Sequence, residues 1–93
     1  MIVGYRNKVT ETVAGGKSPK GFPADIFRTA YRKLAMLEAA VVLDDLRSPP
    51  GNRLEELKGD RKGQHSIRIN DQWRICFVWT AAGPDQVEIV DYH

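Results

Sequence analysis

The residues best suited to chemistry fall in the last third of the sequence. Tyr92 and His93 close the run Val-Glu-Ile-Val-Asp-Tyr-His, and both rings can transfer a proton. Arg68 and Arg74 lie on either side of a short polar segment, and guanidinium groups bind phosphate through a planar fork of N–H donors. Together these side chains could serve phosphoryl chemistry, provided that the fold brings them to one place.

The apolar residues around the two arginines predict a β-hairpin with a defined register. Ile67 and Ile69 alternate with polar residues, and the segment from Trp73 onward alternates in the same way. If both apolar sets face the core, a three-residue loop at 70–72 places Arg68 directly across from Arg74. Because like charges in that position destabilise a sheet, something must compensate them. Two interpretations are open: a phosphate lies between the arginines, or each pairs with a carboxylate such as Glu55, Glu88 or Asp91.

The rest of the chain supplies elements that could position this hairpin. Pro23 opens an amphipathic segment with apolar spacings of three and four, which predicts a helix that weakens towards Leu46, with a break near 41–44 as an alternative. A helical turn is expected at 10–14 and a short strand at 2–5. Further strands are expected from Arg53, over 66–70, over 73–79 and, after a loop at 81–85, over 87–92. Residues 1–93 are therefore expected to form one α+β domain, an antiparallel sheet of about four strands with the N-terminal helical block on one face.

Composition excludes several other classes of function. The single cysteine, Cys76, lies in an apolar run and is expected to be a buried thiol rather than a nucleophile. Two histidines and one cysteine form no spaced metal motif, and no cofactor-binding motif is present, so neither a metal nor a cofactor is expected. No segment is long and apolar enough for a membrane span, which favours a cytoplasmic protein. The net charge of +2 is mild, but residues 1–33 carry seven cations against two anions, as expected for a polyanion partner or an ordinary solvated surface.

The order of the motifs resembles a known family. A Leu-Lys-Gly-Asp segment at 57–60 precedes the pattern Ser-x-Arg-x-Asn-x-x-Trp-Arg-Ile at 66–75, and Asp-Tyr-His follows at 91–93. This combination is similar to the HigB-type toxins of bacterial type II toxin–antitoxin systems, within the RelE/ParE superfamily. The similarity covers nearly the whole chain and is strongest over 53–93, and it implies a RelE-like fold.

The resemblance also implies an activity, that of a ribosome-dependent mRNA endoribonuclease. Such toxins cleave the codon in the ribosomal A site without a metal ion. The ribose 2′-OH attacks the neighbouring phosphate, which leaves a 2′,3′-cyclic (or 3′) phosphate and a 5′-OH. The cations that match family positions for stabilising the crowded phosphorane are Lys58, Arg68 and Arg74.

The residues for proton transfer follow the family pattern with one departure. By resemblance, His93 or Tyr92 acts as general acid or orients the RNA, and Asp91 orients or tunes its neighbours. Some relatives carry a catalytic histidine where Glu55 stands here. The Glu55 carboxylate could replace it as general base, or it could pair with one of the two arginines.

Family resemblance further implies partners. The toxin would act on the ribosome and mRNA, and it would be bound by a cognate helix-turn-helix antitoxin of the HigA type. Operator DNA would be bound only through the toxin–antitoxin complex. Two alternatives share the fold: a ParE-like inhibitor of DNA gyrase, and a catalytically weak relative that only binds protein. The co-occurrence of lysine, arginine, tyrosine and histidine at the family positions favours the nuclease.

Overall fold

The computed structural model describes residues 1–91, in which two helices precede a four-stranded antiparallel sheet. The helices are α1, Lys8–Ala14, and α2, Ala24–Ala39. The strands are β1, Glu55–Glu56; β2, His65–Arg68; β3, Trp73–Thr80; and β4, Gly83–Asp91. Short 3-10 turns span Leu43–Arg47, Pro50–Asn52 and Gly59–Arg61. Neighbouring strands in the chain are neighbours in the sheet, so the predicted α+β meander is confirmed.

The helices begin and end where local chemistry dictates. The side chain of Asn7 accepts a hydrogen bond from the Thr10 amide and caps α1. Helix α2 starts directly after Pro23, as predicted. It ends at Ala39 rather than continuing to Leu46, so the prediction of one long helix is wrong. The alternative, a break near 41–44, is closer to the structure, because Leu43–Arg47 forms a separate 3-10 turn. Beyond the C-cap Ala40, the amides of residues 41 and 42 donate to the Asp45 carboxylate at 2.9 and 3.2 Å, so this side chain satisfies them outside the helix.

The core lies between the helices and one face of the sheet. The stripe predicted for α2 is buried at four positions, Ile26, Ala30, Leu34 and Leu37. It packs against buried sheet residues, which are Ile67, Ile69, Ile75, Phe77 and Val87. Cross-strand pairing of Ile67 with Ile75 and of Ile75 with Ile89 sets this apolar face. The opposite side of the sheet, called the outer face here, carries the polar residues of the hairpin.

Several strand boundaries differ from prediction, among them that of β2, which was expected over 66–70 and spans His65–Arg68. The segment at 2–5 forms one bridge, between Tyr5 and Val87, and a few backbone hydrogen bonds to β4 instead of a regular strand. The reason lies in β4, whose pairing with β3 shifts register between Cys76 and Val78 and whose Gln86 has a φ of 51°. Its free edge is therefore too irregular for the segment at 2–5 to pair with it continuously. Strand β1 starts at Glu55, because the preceding Arg53 has a left-handed backbone with φ 46°.

The predicted hairpin loop at 81–85 is also shorter than expected. Thr80 pairs with Gly83, so the turn consists of residues 81 and 82 and β4 begins at Gly83. The Thr80 hydroxyl donates to the Gly83 carbonyl at 2.6 Å and accepts from the Ala82 amide at 3.2 Å. These two hydrogen bonds close a turn shorter than the loop that the glycine and proline at 83–84 predicted. Within residues 1–91, no helix has the length and apolarity needed to cross a bilayer.

Candidate active site on the outer sheet face

The outer face is organised by two rows of cross-strand neighbours. One row runs across all four strands through Glu55, Ser66, Cys76 and Glu88. The adjacent row contains Arg68 opposite Arg74, followed by Val90. The predicted register of the arginine pair is therefore confirmed, and both residues lie on the side of the sheet away from the helices. The loop at 70–72 fixes this register, because the Asn70 side chain accepts hydrogen bonds from the amides of Gln72 and Trp73 at 2.9 and 2.8 Å.

Arg74 is buried and held in a fixed orientation. Its side chain is only 10% exposed. Nε donates to the Ser66 hydroxyl at 2.8 Å, and a terminal nitrogen donates to the Arg53 carbonyl at 2.7 Å. The same nitrogen lies 3.2 Å from a Glu55 carboxylate oxygen, whose side chain is 57% exposed. The carboxylate interpretation is thus the one observed for Arg74, with Glu55 as its partner.

Arg68 has a different environment although it lies directly across from Arg74. Its guanidinium pairs with Asp71 in the hairpin loop, a carboxylate that sequence reasoning did not consider. The Asp71 side chain is 99% exposed, so its partner can reorient at little cost. The hydrogen bond from Arg68 and the charge of that guanidinium hold the pKa of Asp71 below its usual value. The pair therefore combines one guanidinium that is held in place with one that can reorient. Such an arrangement is suited to binding an anion.

Glu55 lies beside Arg74 on the outer face of the sheet. It lies at the start of β1, directly across from the buried Ser66, and its carboxylate faces the outer side of the sheet. Because it is more than half exposed, RNA could reach it. Its ion pair with Arg74 is the pairing that the sequence left open as one alternative, and the role of general base stays a prediction.

Lys58 and Asp91 belong to other parts of the sheet region, the connection after β1 and the end of β4. Lys58 is exposed and precedes the turn Gly59–Arg61, in the connection between β1 and β2. Asp91 pairs with Trp73 in the sheet, and its carboxylate accepts from the Gln72 side chain at 3.0 Å. Strand alternation therefore puts the Asp91 side chain on the helix side, opposite the face that carries Arg74. Tyr92 and His93 lie outside the described residues, so their roles remain predictions.

Sequence reasoning missed the residues that position Arg74. Ser66 is completely buried and supplies an acceptor to Arg74. A signal was present, because Ser66 lies two residues before Arg68 and must share its face. The carbonyl of Arg53 had no comparable signal, since its direction depends on the left-handed backbone there.

Two other expectations concern the thiol and metal binding. Cys76 is completely buried in β3, as predicted, and burial raises the pKa of its thiol, which opposes a nucleophilic role. Among residues 1–91, no group of three or more His, Cys, Asp or Glu side chains is arranged to hold a metal ion. An apolar cavity of about 190 Å³ lies on the helix side between Val9, Phe22, Trp73 and Ile89, but its lining does not suit a phosphate.

The arrangement of two helices on a four-stranded antiparallel sheet is consistent with a RelE-like fold. Residues 7–93 match the family described as the RelE-like toxin of the type II toxin–antitoxin system HigB, and the chain belongs to this family. The match contains every candidate residue named above.

Three relatives are similar to this chain. The Toxin HigB-1 of Vibrio cholerae serotype O1 is 51% identical over 57 residues, which are 61% of this chain and 60% of that protein. An uncharacterized protein of Haemophilus influenzae is 37% identical over 62 residues, 67% of this chain and 61% of its own length. The Endoribonuclease HigB of Proteus vulgaris is 27% identical over 93 residues and the full length of both chains. The similarity thus spans about three fifths of the first two relatives.

Proposed function

We propose that this protein is the toxin of a type II toxin–antitoxin system and acts as a ribosome-dependent mRNA endoribonuclease. The observation that carries the proposal is the pair of arginines directly opposite each other on the open face of the sheet. Family membership supports the toxin assignment. The full-length similarity to a protein named Endoribonuclease HigB supports the nuclease activity.

The reaction proposed is attack of the ribose 2′-OH on the adjacent phosphate in the A-site codon. Negative charge gathers on the phosphorane oxygens, and fixed guanidinium groups stabilise that charge without reorganising. Arg74 is suited to this role because Ser66 and the Arg53 carbonyl hold it in place. Arg68 can exchange its contact with the exposed Asp71 for one with the phosphate. Lys58 supplies a third cation from the loop after β1.

Two proton transfers accompany that attack. Glu55 accepts the proton from the 2′-OH, for which it must exchange its contact with Arg74 for one with the ribose. His93 or Tyr92 donates a proton to the leaving 5′-oxygen, and a tyrosine ring can also stack on an unpaired base. Asp91 tunes these neighbours along the chain rather than the phosphate, because its side chain lies on the helix side of the sheet.

The partners proposed follow from the family. A type II toxin requires a cognate antitoxin, which we propose is a helix-turn-helix protein of the HigA type. Operator DNA is bound through the complex of the two proteins. The substrate complex is a ribosome with mRNA in its A site, which places the activity in the cytoplasm.

The proposal is tested by primer extension on mRNA in a purified translation system, with and without ribosomes. Cleavage within the A-site codon only when ribosomes are present is the expected result. Intact mRNA on programmed ribosomes, together with inhibition of gyrase supercoiling, would show instead the ParE-like alternative. Inactivity in both assays with retained antitoxin binding would indicate the protein-binding alternative, for which the Glu55–Arg74 ion pair is the structural argument.

The roles of the last residues are tested separately. A His93→Ala variant is expected to lose cleavage while its thermal unfolding stays unchanged, and a short extension after His93 should have the same effect. Full cleavage activity in the extended variant would refute a catalytic role for this residue.

A further inference from the structure

A second polar site lies on the outer face, beside the arginine pair. It is a cavity of about 370 Å³ lined by Arg6, Asp60, Arg61, Gln64 and Glu88. Its position follows from the sheet register. Glu88 is opposite Cys76, which in turn is opposite Ser66, the residue that holds Arg74. Two strand spacings, about 10 Å, therefore separate Glu88 from the anchor of Arg74.

The contacts inside this cavity leave hydrogen-bonding groups of both kinds. One Glu88 oxygen is 3.3 Å from a terminal nitrogen of Arg61 and 3.8 Å from Nε of Arg6. The same terminal nitrogen of Arg61 donates to the Gln64 side-chain carbonyl at 3.1 Å. Arg6 also reaches Gln86, at 3.4 Å. Arg61, Gln64 and Glu88 are part-buried and orient one another, whereas Arg6 and Asp60 lie at the exposed rim of the same open space.

The charge of the cavity selects against a phosphate. Two guanidinium groups face two carboxylates, those of Asp60 and Glu88, so the lining is neutral overall. A phosphate would meet those carboxylates at close range, and like charges repel most strongly where water is reduced. A neutral ligand with both donors and acceptors on one edge fits better, because it can use Arg61 as donor and Glu88 as acceptor.

We propose that this cavity binds the base of a nucleotide next to the phosphate that is cleaved, and that it selects bases with an exocyclic amino group. The proposal rests on the nuclease function proposed above. Ionised Glu88 can only accept hydrogen bonds, so it is satisfied by the amino group of adenine, cytosine or guanine. Arg61 donates to the adjacent ring nitrogen or carbonyl. Uracil has no amino group and offers Glu88 only its N3–H, which is flanked by two carbonyl oxygens that the carboxylate repels.

The test compares cleavage rates on programmed mRNAs that differ at one codon position at a time. At the position read by this cavity, the wild type is expected to cleave the uracil variant at least about fivefold more slowly than the other three, the lower range for a good base contact. A Glu88→Gln variant has an amide that can donate to uracil, so that discrimination is expected to disappear. Equal rates for all four bases at every position in the wild type, or unchanged discrimination in Glu88→Gln, would overturn the proposal.

Two controls separate this result from trivial causes. Asp44→Asn changes an exposed carboxylate in a different ion pair, with Arg47, and should keep the wild-type base profile. Thermal unfolding of Glu88→Gln shows whether the loss of the contacts to Arg6 and Arg61 affects folding. If Glu88→Gln is too unstable, Gln64→Ala probes the same cavity and is expected to weaken the base preference.

The failure of this proposal can be told apart from the failure of the nuclease function. If the wild type cleaves no codon, binding of 2′-O-methylated trinucleotides is followed by NMR instead. Tighter binding of amino-bearing sequences, with shifts at the amides of Arg61 and Glu88, would still support the base site. Equal affinity for all sequences, or shifts confined to other parts of the sheet, would refute it.

Discussion

Arg68 and Arg74 are directly opposite each other in the sheet, yet their removal should have very different effects on stability. Truncating Arg74 to alanine takes a donor from the Ser66 hydroxyl, which is completely buried, and another from the Arg53 carbonyl. A buried polar group that loses its partner costs roughly 1–3 kcal/mol. Because the Arg53 carbonyl lies nearer the surface, water can replace the guanidinium there at a smaller cost.

We therefore expect Arg74→Ala to lower the free energy of unfolding by about 2–4 kcal/mol. At about 4–8 °C per kcal/mol for a domain of this size, the melting temperature should fall by roughly 10–30 °C. Arg68→Ala removes only a contact to the exposed Asp71, so it should change stability little. Arg47→Ala is a matched control, since Arg47 also pairs with an exposed carboxylate three residues away, Asp44.

The assay is equilibrium unfolding in urea, followed by tryptophan fluorescence, for the wild type and the three variants. The expected order places Arg74→Ala far below Arg68→Ala and Arg47→Ala, which should lie close to the wild type. Equal losses in Arg68→Ala and Arg74→Ala would refute the conclusion that Arg74 is anchored by Ser66 and Arg53. Cleavage should be strongly reduced in both Arg68→Ala and Arg74→Ala, so an activity assay alone would not reveal this difference.

Three further predictions concern other parts of the molecule. Gly83→Ala should destabilise the protein more than Gly51→Ala in the same urea assay. Gly83 has a φ of 129° and an added Cβ would collide with the Met1 carbonyl, whereas Gly51 has open space. By NMR titration, the pKa of Asp71 should lie below the usual value of a carboxyl and return towards it in Arg68→Gln. Because the pKa of Asp71 is lower in the folded state, its contact with Arg68 stabilises the protein above the unfolded-state pKa. That stabilisation is lost as the pH falls through the folded-state pKa. An unshifted pKa of Asp71 would refute the contact. Cys76 should react with a thiol reagent only as fast as the protein unfolds, and rapid labelling under native conditions would contradict its burial.

The fold and the arginine register could be predicted because local patterns determine them. The spacing of apolar residues in α2 and the alternation around Ile67 and Ile75 each indicate one buried face. When both apolar sets of a hairpin face the core, paired residues must be an even number apart, which leaves few registers. The register with a three-residue loop pairs Arg68 with Arg74. The edges of strands were less predictable, because backbone conformations at Arg53 and Gln86 decide them.

The contacts that complete the site could not be predicted from local patterns. The carbonyl of Arg53 reaches Arg74 across 21 residues, in a direction set by the left-handed backbone of Arg53. The choice of Asp71 as the partner of Arg68 depends on the conformation of the hairpin loop. Such contacts depend on three-dimensional positions, and the alternation of apolar and polar residues along a strand does not determine them.

The central claim is that the arginine pair of the outer face serves cleavage of RNA by its own 2′-OH, and the ends of the cleaved mRNA test it most directly. Fragments produced on programmed ribosomes would be treated with polynucleotide kinase and γ-labelled ATP, with and without prior dephosphorylation. The account predicts a 5′-OH that is labelled without phosphatase, opposite a cyclic or 3′ phosphate, and far fewer such ends with Arg68→Ala. Fragments with 5′-phosphate ends, or a wild type that leaves every mRNA intact, would contradict it.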